Sequence, residues 1–67
     1  MKMHTVMSSA MRAIGYEPST REMDIEFTIV KRYTYYDVPQ EVFDKFLDAP
    51  SKGGYFNDHI KGKYRYR

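Results

Sequence analysis

The chain has 67 residues, no cysteine and a formal net charge of +2, which predicts one small domain, residues 1–67, without disulfides or thiolate metal sites. A chain of this length buries only about 60% of the surface that its unfolded form exposes, so the aromatic residues, 16% of the total, must supply much of the core. No apolar run approaches the ~20 residues of a membrane span, and the N-terminus lacks the pattern of a secretory signal. We therefore expect a cytoplasmic protein with no membrane partner.

Three strands are predicted in the first half of the chain. Residues 1–7 have no clear hydrophobic period and are expected to be flexible in part. Residues 10–18 have the character of a short strand that ends at a proline. Residues 21–29 alternate strictly, which is typical of a strand with one dry and one wet face: Met23, Ile25, Phe27 and Ile29 share one side, and Glu22, Asp24, Glu26 and Thr28 share the other. Residues 31–38 form the third strand.

The register of the last two strands decides whether the rings of "RYTYYDVPQEVF" are core or surface. The connection "TIVK" contains no Gly, Asn or Asp, which favours a loop of three to five residues over a tight turn. We expect Tyr33 and Tyr35 to lie inside, opposite Ile25 and Phe27, and Tyr36 to lie outside. A ligand-stacking platform is the alternative interpretation of these rings.

Two helices complete the predicted fold. Residues 39–49 carry an apolar stripe at helical spacing, made of Val42, Phe43, Phe46 and Leu47. Ser51 is expected to cap a second helix, residues 51–62, with Tyr55, Phe56 and Ile60 on its inner side. The predicted fold class is α+β: a three-stranded antiparallel β-meander followed by two short helices packed on one face. The prediction also allows a short additional element at the N-terminus or the C-terminus.

No group of residues predicts catalysis, a cofactor or a metal site. Glu22, Asp24 and Glu26 lie on one strand face at intervals of ~7 Å, where we expect them to be exposed and unpaired. His4 and His59 are the only histidines, and no further ligand stands at a suitable spacing from either.

Two short motifs near the helices have both a structural and a functional interpretation. Asp37 precedes the first helix and is expected to interact with its N-terminus rather than to act as a base. The motif "SKGG", residues 51–54, could hold a phosphate at a helix N-terminus, but it lacks the spacing of a P-loop. A capped turn is therefore the favoured interpretation of "SKGG".

Basic charge is concentrated near the C-terminus. Residues 1–51 carry six basic and eight acidic side chains, a net of −2, whereas residues 52–67 carry five basic and one acidic, a net of +4. In "KGKYRYR", residues 61–67, an extended backbone would place all four cations on one side and the tyrosines on the other. Cations suit phosphates and flat rings suit unpaired bases. The alternative is that Tyr64 closes the core and residues 65–67 are a frayed tail.

The first functional hypothesis is a non-enzymatic module that binds RNA or another single-stranded nucleic acid. Four phosphate contacts would give a log–log salt slope of about −2.8. The predicted site comprises Lys52, Lys61, Lys63, Arg65 and Arg67 for phosphates, and Tyr64, Tyr66 and Tyr36 for bases.

The second functional hypothesis is a protein-interaction adaptor. It would dock another protein on the acidic strand face or add a strand to a sheet edge. An enzyme ranks third, because no nucleophile, base and orienting group are found together.

Several motifs, in their order along residues 8–64, resemble the KTSC domain. The matching residues are Ser8-Ser9, Gly15-Tyr16, Phe27, Tyr33, Tyr35, Val38-Pro39, Ser51-Lys52-Gly53, Tyr55-Phe56, Ile60 and Tyr64. The chain departs from the family between the second and third predicted strands, where a glycine is usual and Ile29, Val30 and Lys31 stand here. The family is named for a C-terminal extension of lysyl-tRNA synthetase and also occurs as small bacterial and phage proteins. Because the family occurs beside a tRNA enzyme, the resemblance leads us to expect that the chain binds RNA.

Overall fold

A computed structural model describes residues 1–29 and 31–67; Val30 lies outside the described residues. The described chain contains four strands: β1 (Lys2–Thr5), β2 (Met11–Glu17), β3 (Glu22–Phe27) and β4 (Arg32–Tyr35). They form one antiparallel sheet in the order β1-β2-β3-β4. Two helical segments follow, α1 (Gln40–Asp48) and α2 (Lys52–Tyr55), and a π-helical turn, Phe56–Ile60, continues α2. The α+β class is thus confirmed, with four strands where three were expected.

The additional strand is β1, in the segment that was expected to be partly flexible. Lys2–Thr5 pairs with β2, so that Lys2 lies opposite Tyr16 and Met3 opposite Gly15. A side chain at position 15 would collide with the Met3 sulfur and approach the Lys2 carbonyl oxygen to 2.9 Å. Glycine at position 15 therefore admits β1, a requirement that lies in the sequence of β2 and not in that of β1.

A β-bulge in β2 directs its apolar side chains toward the core. The register with β3 shifts between Met11 and Ala13. Because a bulge adds one residue to one strand, Met11 and Ile14 face the same side although they are three residues apart. Both are almost completely buried, and they lie opposite Phe27 and Ile25 of β3.

The hairpin of β3 and β4 settles the register in favour of inward-facing tyrosines. Tyr33 pairs with Ile25, as expected, whereas Tyr35 pairs with Met23 instead of Phe27 because the strands run antiparallel. Tyr35 is 5% exposed and Tyr33 is half-buried. Four residues separate the two strands, within the expected loop length.

The helices cover the apolar face of the sheet. Of the predicted stripe in α1, Phe43 and Phe46 are buried, while Val42 and Leu47 are half-buried against the core. The second predicted helix is confirmed as helical, but its hydrogen bonds widen beyond Tyr55. The Lys61 amide donates to the Phe56 carbonyl five residues earlier, at 2.8 Å, which is the pattern of a π-helical turn.

Candidate nucleic-acid interface

Residues 65–67 are hydrogen-bonded to the outer edge of β4. The Thr34 amide donates to the Arg67 carbonyl, the Arg67 amide donates to the Thr34 carbonyl, and the Tyr36 amide donates to the Arg65 carbonyl, each at 2.9 Å. Tyr66 pairs with Tyr35 in an antiparallel bridge. The tail, for which fraying was the alternative interpretation, is thus a short fifth segment of the sheet, because the edge of β4 offers its backbone groups as partners.

The cations of residues 61–67 do not share one side, contrary to the prediction from an extended backbone. Directly paired residues face the same side of a sheet, so Tyr66 joins Tyr35 on the inner face and its neighbours Arg65 and Arg67 face outward. Lys61 instead lines the inner side together with Tyr66. The turn at residues 61–63, where Gly62 has φ 76°, interrupts the alternation on which the prediction rested.

Arg65 is engaged within the protein. Its guanidinium carbon lies 5.2 Å from the centre of the Tyr36 ring, and its Nη2 lies 3.9 Å from an Asp37 carboxylate oxygen. Tyr36, predicted to lie outside, is half-buried beneath this guanidinium. Both predicted site residues therefore already contact each other on the outer face, which reduces what either offers to a ligand.

Asp37 does not cap α1, so that prediction is wrong. Its backbone has φ 58°, a left-handed conformation that aspartate tolerates better than most residues. The residue before α1 is Pro39, and the described residues give it no side-chain capping bond. The Asp37 side chain instead points to solvent, where it pairs with Arg65.

On the inner face, five aromatic side chains line a groove of about 280 Å³, which we call the aromatic groove: Phe27, Tyr33, Tyr35, Phe56 and Tyr66. Lys61 and Gly62 also line it. The groove lies where β3, β4, the tail and the π-helical turn meet. It brings two predicted site residues, Lys61 and Tyr66, into the lining of a common cavity.

Most neighbouring rings of the groove meet at steep angles; the exception is Tyr35 with Tyr66, 5.3 Å apart and 31° from parallel. Interplanar angles are 66° for Phe27 with Tyr33, 78° for Phe27 with Phe56 and 85° for Tyr33 with Tyr66, at centroid distances of 5.5–5.9 Å. Edge-to-face contacts of this kind are favourable for aromatic pairs. The rings therefore form walls around a concavity rather than a flat platform.

Burial raises the pKa of Tyr35 to about 12, and the nearby Tyr66 and Tyr33 hydroxyls add to the shift. At neutral pH the Tyr35 hydroxyl is fully protonated and retains its donor proton. No hydrogen bond within the described residues engages the hydroxyls of Tyr33, Tyr35 or Tyr66, so the groove carries hydrogen-bonding groups as well as ring faces.

Two other predicted site residues lie away from the groove. Lys52 donates its ammonium to the Ala49 carbonyl and lines a different cavity together with Ser8 and Ser9. Tyr64 is half-buried and packs against the core, in agreement with the structural interpretation of that residue. Lys63 and Arg67 are exposed, and neither takes part in an ion pair in the part of the chain that the structure describes.

The "SKGG" motif forms a capped turn, as favoured. The Gly54 amide donates to the Ser51 hydroxyl at 3.0 Å, and the Tyr55 amide donates to the Ser51 carbonyl at 3.0 Å. The Ser51 side chain thus satisfies a backbone amide that would otherwise be available to an anion.

The acidic row of β3 is not an unpaired, fully exposed face. Asp24 accepts a hydrogen bond from the Thr34 hydroxyl at 2.8 Å and lies 3.5 Å from the Arg32 guanidinium, with its side chain only 13% exposed. The prediction of unpaired carboxylates is therefore wrong for Asp24, because β4 places the Thr34 hydroxyl directly across from it and Arg32 at a diagonal position.

Two other kinds of site are absent from residues 1–29 and 31–67. No group of three metal-ligating side chains of the His, Cys, Asp or Glu types comes together there. None of the helices in that part of the chain has the length and apolar character to cross a membrane.

Four groove residues were missed at the level of sequence: Phe27, Tyr33, Tyr35 and Phe56. Each was expected in the core, with a ligand-stacking platform as the alternative only for Tyr33 and Tyr35, since alternation and helical spacing identify the inner face without showing where that face stays uncovered. The sequence does contain one signal for the groove. Several large rings fall near one end of the same sheet face, and two short helices are too few to cover them all.

The fold and the groove define a class of small α+β domain. It consists of an antiparallel meander covered on one face by two short helical segments, with the C-terminal tail paired to the outer edge of β4. The chain matches the KTSC domain family over residues 7–64, and it belongs to that family.

Similar proteins include both stand-alone chains and one domain of a larger enzyme. A protein of Tsukamurella paurometabola is 43% identical over 63 residues, which cover 94% of each chain. The crystal structure of a KTSC domain protein from Yersinia pestis has a TM-score of 0.97 and 38% identity, covering 98% of this chain and 93% of that one. A lysine–tRNA ligase of a Nostoc species is 41% identical over 58 residues, 87% of this chain but only 10% of the ligase.

Proposed function

We propose that this protein is a non-enzymatic module that binds single-stranded nucleic acid, RNA above all, at its C-terminal end. The observation that carries the proposal is the aromatic groove with Lys61 in its lining. Unpaired bases bind proteins by stacking on aromatic rings beside cations that meet the phosphates. The similarity to a domain of a lysine–tRNA ligase supports RNA as the nucleic acid.

Charge also supports this proposal, although fewer cations contribute than their number in the sequence suggests. Arg65 is partly neutralised by the exposed carboxylate of Asp37, 3.9 Å away, and Lys52 donates to the Ala49 carbonyl. Lys61, Lys63 and Arg67 are exposed and belong to the groove or to the segment beside it. Three phosphate contacts would give a log–log salt slope of about −2.1 on a single strand, at ~0.7 for each contact.

The test is fluorescence anisotropy with a labelled single-stranded RNA of mixed sequence at several salt concentrations. We expect binding that weakens with salt at the slope given above. Changing Lys61, Lys63 and Arg67 to Ala should remove most of the affinity and flatten the slope. The matched control changes Lys2, Arg12 and Lys45 to Ala, which removes the same charge from other exposed positions. No binding at low salt, or equal losses in the two triple variants, would contradict the proposal.

The open edge of β1 favours the adaptor as a second candidate. The edge of β4 is occupied by residues 65–67, and Asp24 in the acidic row is engaged by Arg32. The outer edge of β1 pairs with no other strand in the described sheet, so a partner protein could add a strand there. A protein complex that persists in high salt and after nuclease treatment, and that a proline at Met3 abolishes, would favour this function over nucleic-acid binding.

A further inference from the structure

We propose that the aromatic groove holds one nucleobase at a time, with the phosphate of the same nucleotide at Lys61 and the Tyr66 ring closing on the base. The inference deepens the proposed function and rests on it for the class of polymer. It specifies a ligand unit, a single nucleotide, and gives Tyr66 and Lys61 separate roles.

The angles between the rings favour one base rather than a run of bases. A run of stacked bases needs rings that lie open and roughly parallel along a surface. Here four neighbouring ring pairs cross at 66–85° and only Tyr35 with Tyr66 is less steep, at 31°, so a flat ligand meets the face of one ring and the edges of others. The volume of about 280 Å³ is at the small end of ligand sites, which span ~300–1,000 Å³, and it suits one flat ring system.

Charge decides between a nucleotide and a cationic ligand. Steeply crossed aromatic walls also occur in cages that bind quaternary ammonium groups through cation–π contacts. Among the described residues that line the groove, Lys61 is the only charged one and no carboxylate is present. An ammonium ligand would therefore be repelled, whereas a ligand that is flat at one end and anionic at the other finds a complementary partner for each end.

Tyr66 is the most exposed of the five aromatic walls of the groove. Its side chain is 58% exposed, and its segment is attached to β4 by three backbone hydrogen bonds. The turn that precedes this segment contains Gly62, which has a positive φ and no heavy atom within 4 Å of the place a side chain would occupy. A base stacked on Tyr66 would add contacts to this segment and so stabilise its pairing with β4.

The pairing of the tail provides a direct readout of closure. The Thr34 and Tyr36 amides donate to the Arg67 and Arg65 carbonyls, so their exchange with solvent requires that the tail leave β4. Ligand bound against Tyr66 should slow exchange at these two amides by about tenfold when the site is nearly saturated. The amides of β2, which pair within the sheet, should change little.

The experiment titrates the full chain with adenosine monophosphate, adenosine, ribose 5-phosphate and tetramethylammonium, followed by NMR shifts and amide exchange. Adenosine monophosphate should shift groove signals and protect Thr34 and Tyr36. Tyr66→Ala should weaken its binding about tenfold, as loss of one stacking ring does. Lys61→Gln should weaken the monophosphate about fivefold and leave adenosine unchanged. Lys2→Gln, the matched control at an exposed position of β1 outside the groove, should bind both ligands like the original protein.

A short single-stranded RNA in the same titration distinguishes a free nucleotide from an unpaired nucleotide in a strand. If the RNA binds more tightly than adenosine monophosphate and Tyr66→Ala weakens this binding, the ligand of the groove is an unpaired nucleotide within a strand. Binding of the mononucleotide without any RNA binding supports the groove and overturns the proposed function. RNA binding that ignores Tyr66→Ala and Lys61→Gln overturns the single-base inference and leaves the proposed function standing. The inference is also overturned if ribose 5-phosphate or tetramethylammonium binds with the same affinity as adenosine monophosphate. It is likewise overturned if no ligand protects the Thr34 and Tyr36 amides from exchange.

Discussion

Tyr16 shows how one side chain connects the sheet to the start of α1. Its ring stacks on Phe43 of α1, with centroids 5.0 Å apart and planes 14° from parallel. Its hydroxyl donates to the carbonyl of Val38, a residue with no exposed surface. The same tyrosine thus fills core volume and satisfies a buried backbone acceptor, two tasks that a phenylalanine could not combine.

Replacing Tyr16 by Phe should lower the free energy of unfolding by about 1–3 kcal/mol, because the Val38 carbonyl would lose the hydrogen bond that it accepts from the described residues. Urea denaturation followed by circular dichroism measures the loss. Tyr55→Phe is the matched control: the Tyr55 hydroxyl also donates to a carbonyl, that of Val42 at 3.1 Å. Val42 lies inside α1, where carbonyls accept from the amide four residues later, so the control should cost less. Equal costs would show that the Val38 carbonyl finds another donor.

Elements with an internal hydrophobic period could be predicted from the sequence, and those that depend on another element could not. The alternation of Met23, Ile25 and Phe27 identified β3, and the stripe containing Phe43 and Phe46 identified α1, because each segment carries its own pattern of burial. β1 has no such pattern of its own. Its place in the sheet depends instead on the glycine at position 15 of the neighbouring strand. The pairing of residues 65–67 depends likewise on a vacant edge that exists only once β4 is formed.

Gly15→Ala tests this dependence. The new Cβ would collide with Met3 and come within 2.9 Å of the Lys2 carbonyl oxygen, so we expect β1 to be displaced and the protein to lose about 1–3 kcal/mol of stability. Amide exchange should speed up in β1 while α1 keeps its protection. Gly53→Ala is the matched control, because nothing lies within 4 Å of its Cβ position and alanine favours a helix by about 1 kcal/mol. Unchanged exchange in β1 after Gly15→Ala would contradict the role given to this glycine.

The distribution of charge over the molecule explains which part of the candidate site the sequence could indicate. The excess of cations after position 51 is visible in the sequence, and it drew attention to Lys61 and Tyr66, which do line the groove. Which of those cations remain available is set by tertiary contacts, such as Asp37 reaching Arg65. Ring-bearing positions such as Phe27 and Tyr33 have the same sequence pattern whether they are covered or open, so the groove itself required the structure.

Asp37 therefore becomes a determinant of affinity if the C-terminal end binds a nucleic acid strand. Asp37→Asn keeps a side chain that tolerates a positive φ, and it removes the carboxylate that holds Arg65. Since the pair is exposed, its loss should change stability by less than about 1 kcal/mol. The released guanidinium adds a phosphate contact, so RNA affinity should rise and the salt slope should steepen by about 0.7.

Anisotropy titrations at several salt concentrations separate this local effect from a change in net charge. Asp44→Asn removes the same charge from an exposed position on α1, where no contact with Arg65 is lost, and it should leave the slope unchanged. A second comparison adds Arg65→Ala to Asp37→Asn, which should return the slope to its original value, because the gain depends on the guanidinium itself. The prediction is contradicted if Asp37→Asn and Asp44→Asn raise RNA affinity to the same extent, or if the gain survives without Arg65. RNA affinity would then depend on the overall charge of the protein and not on the pair of Asp37 with Arg65.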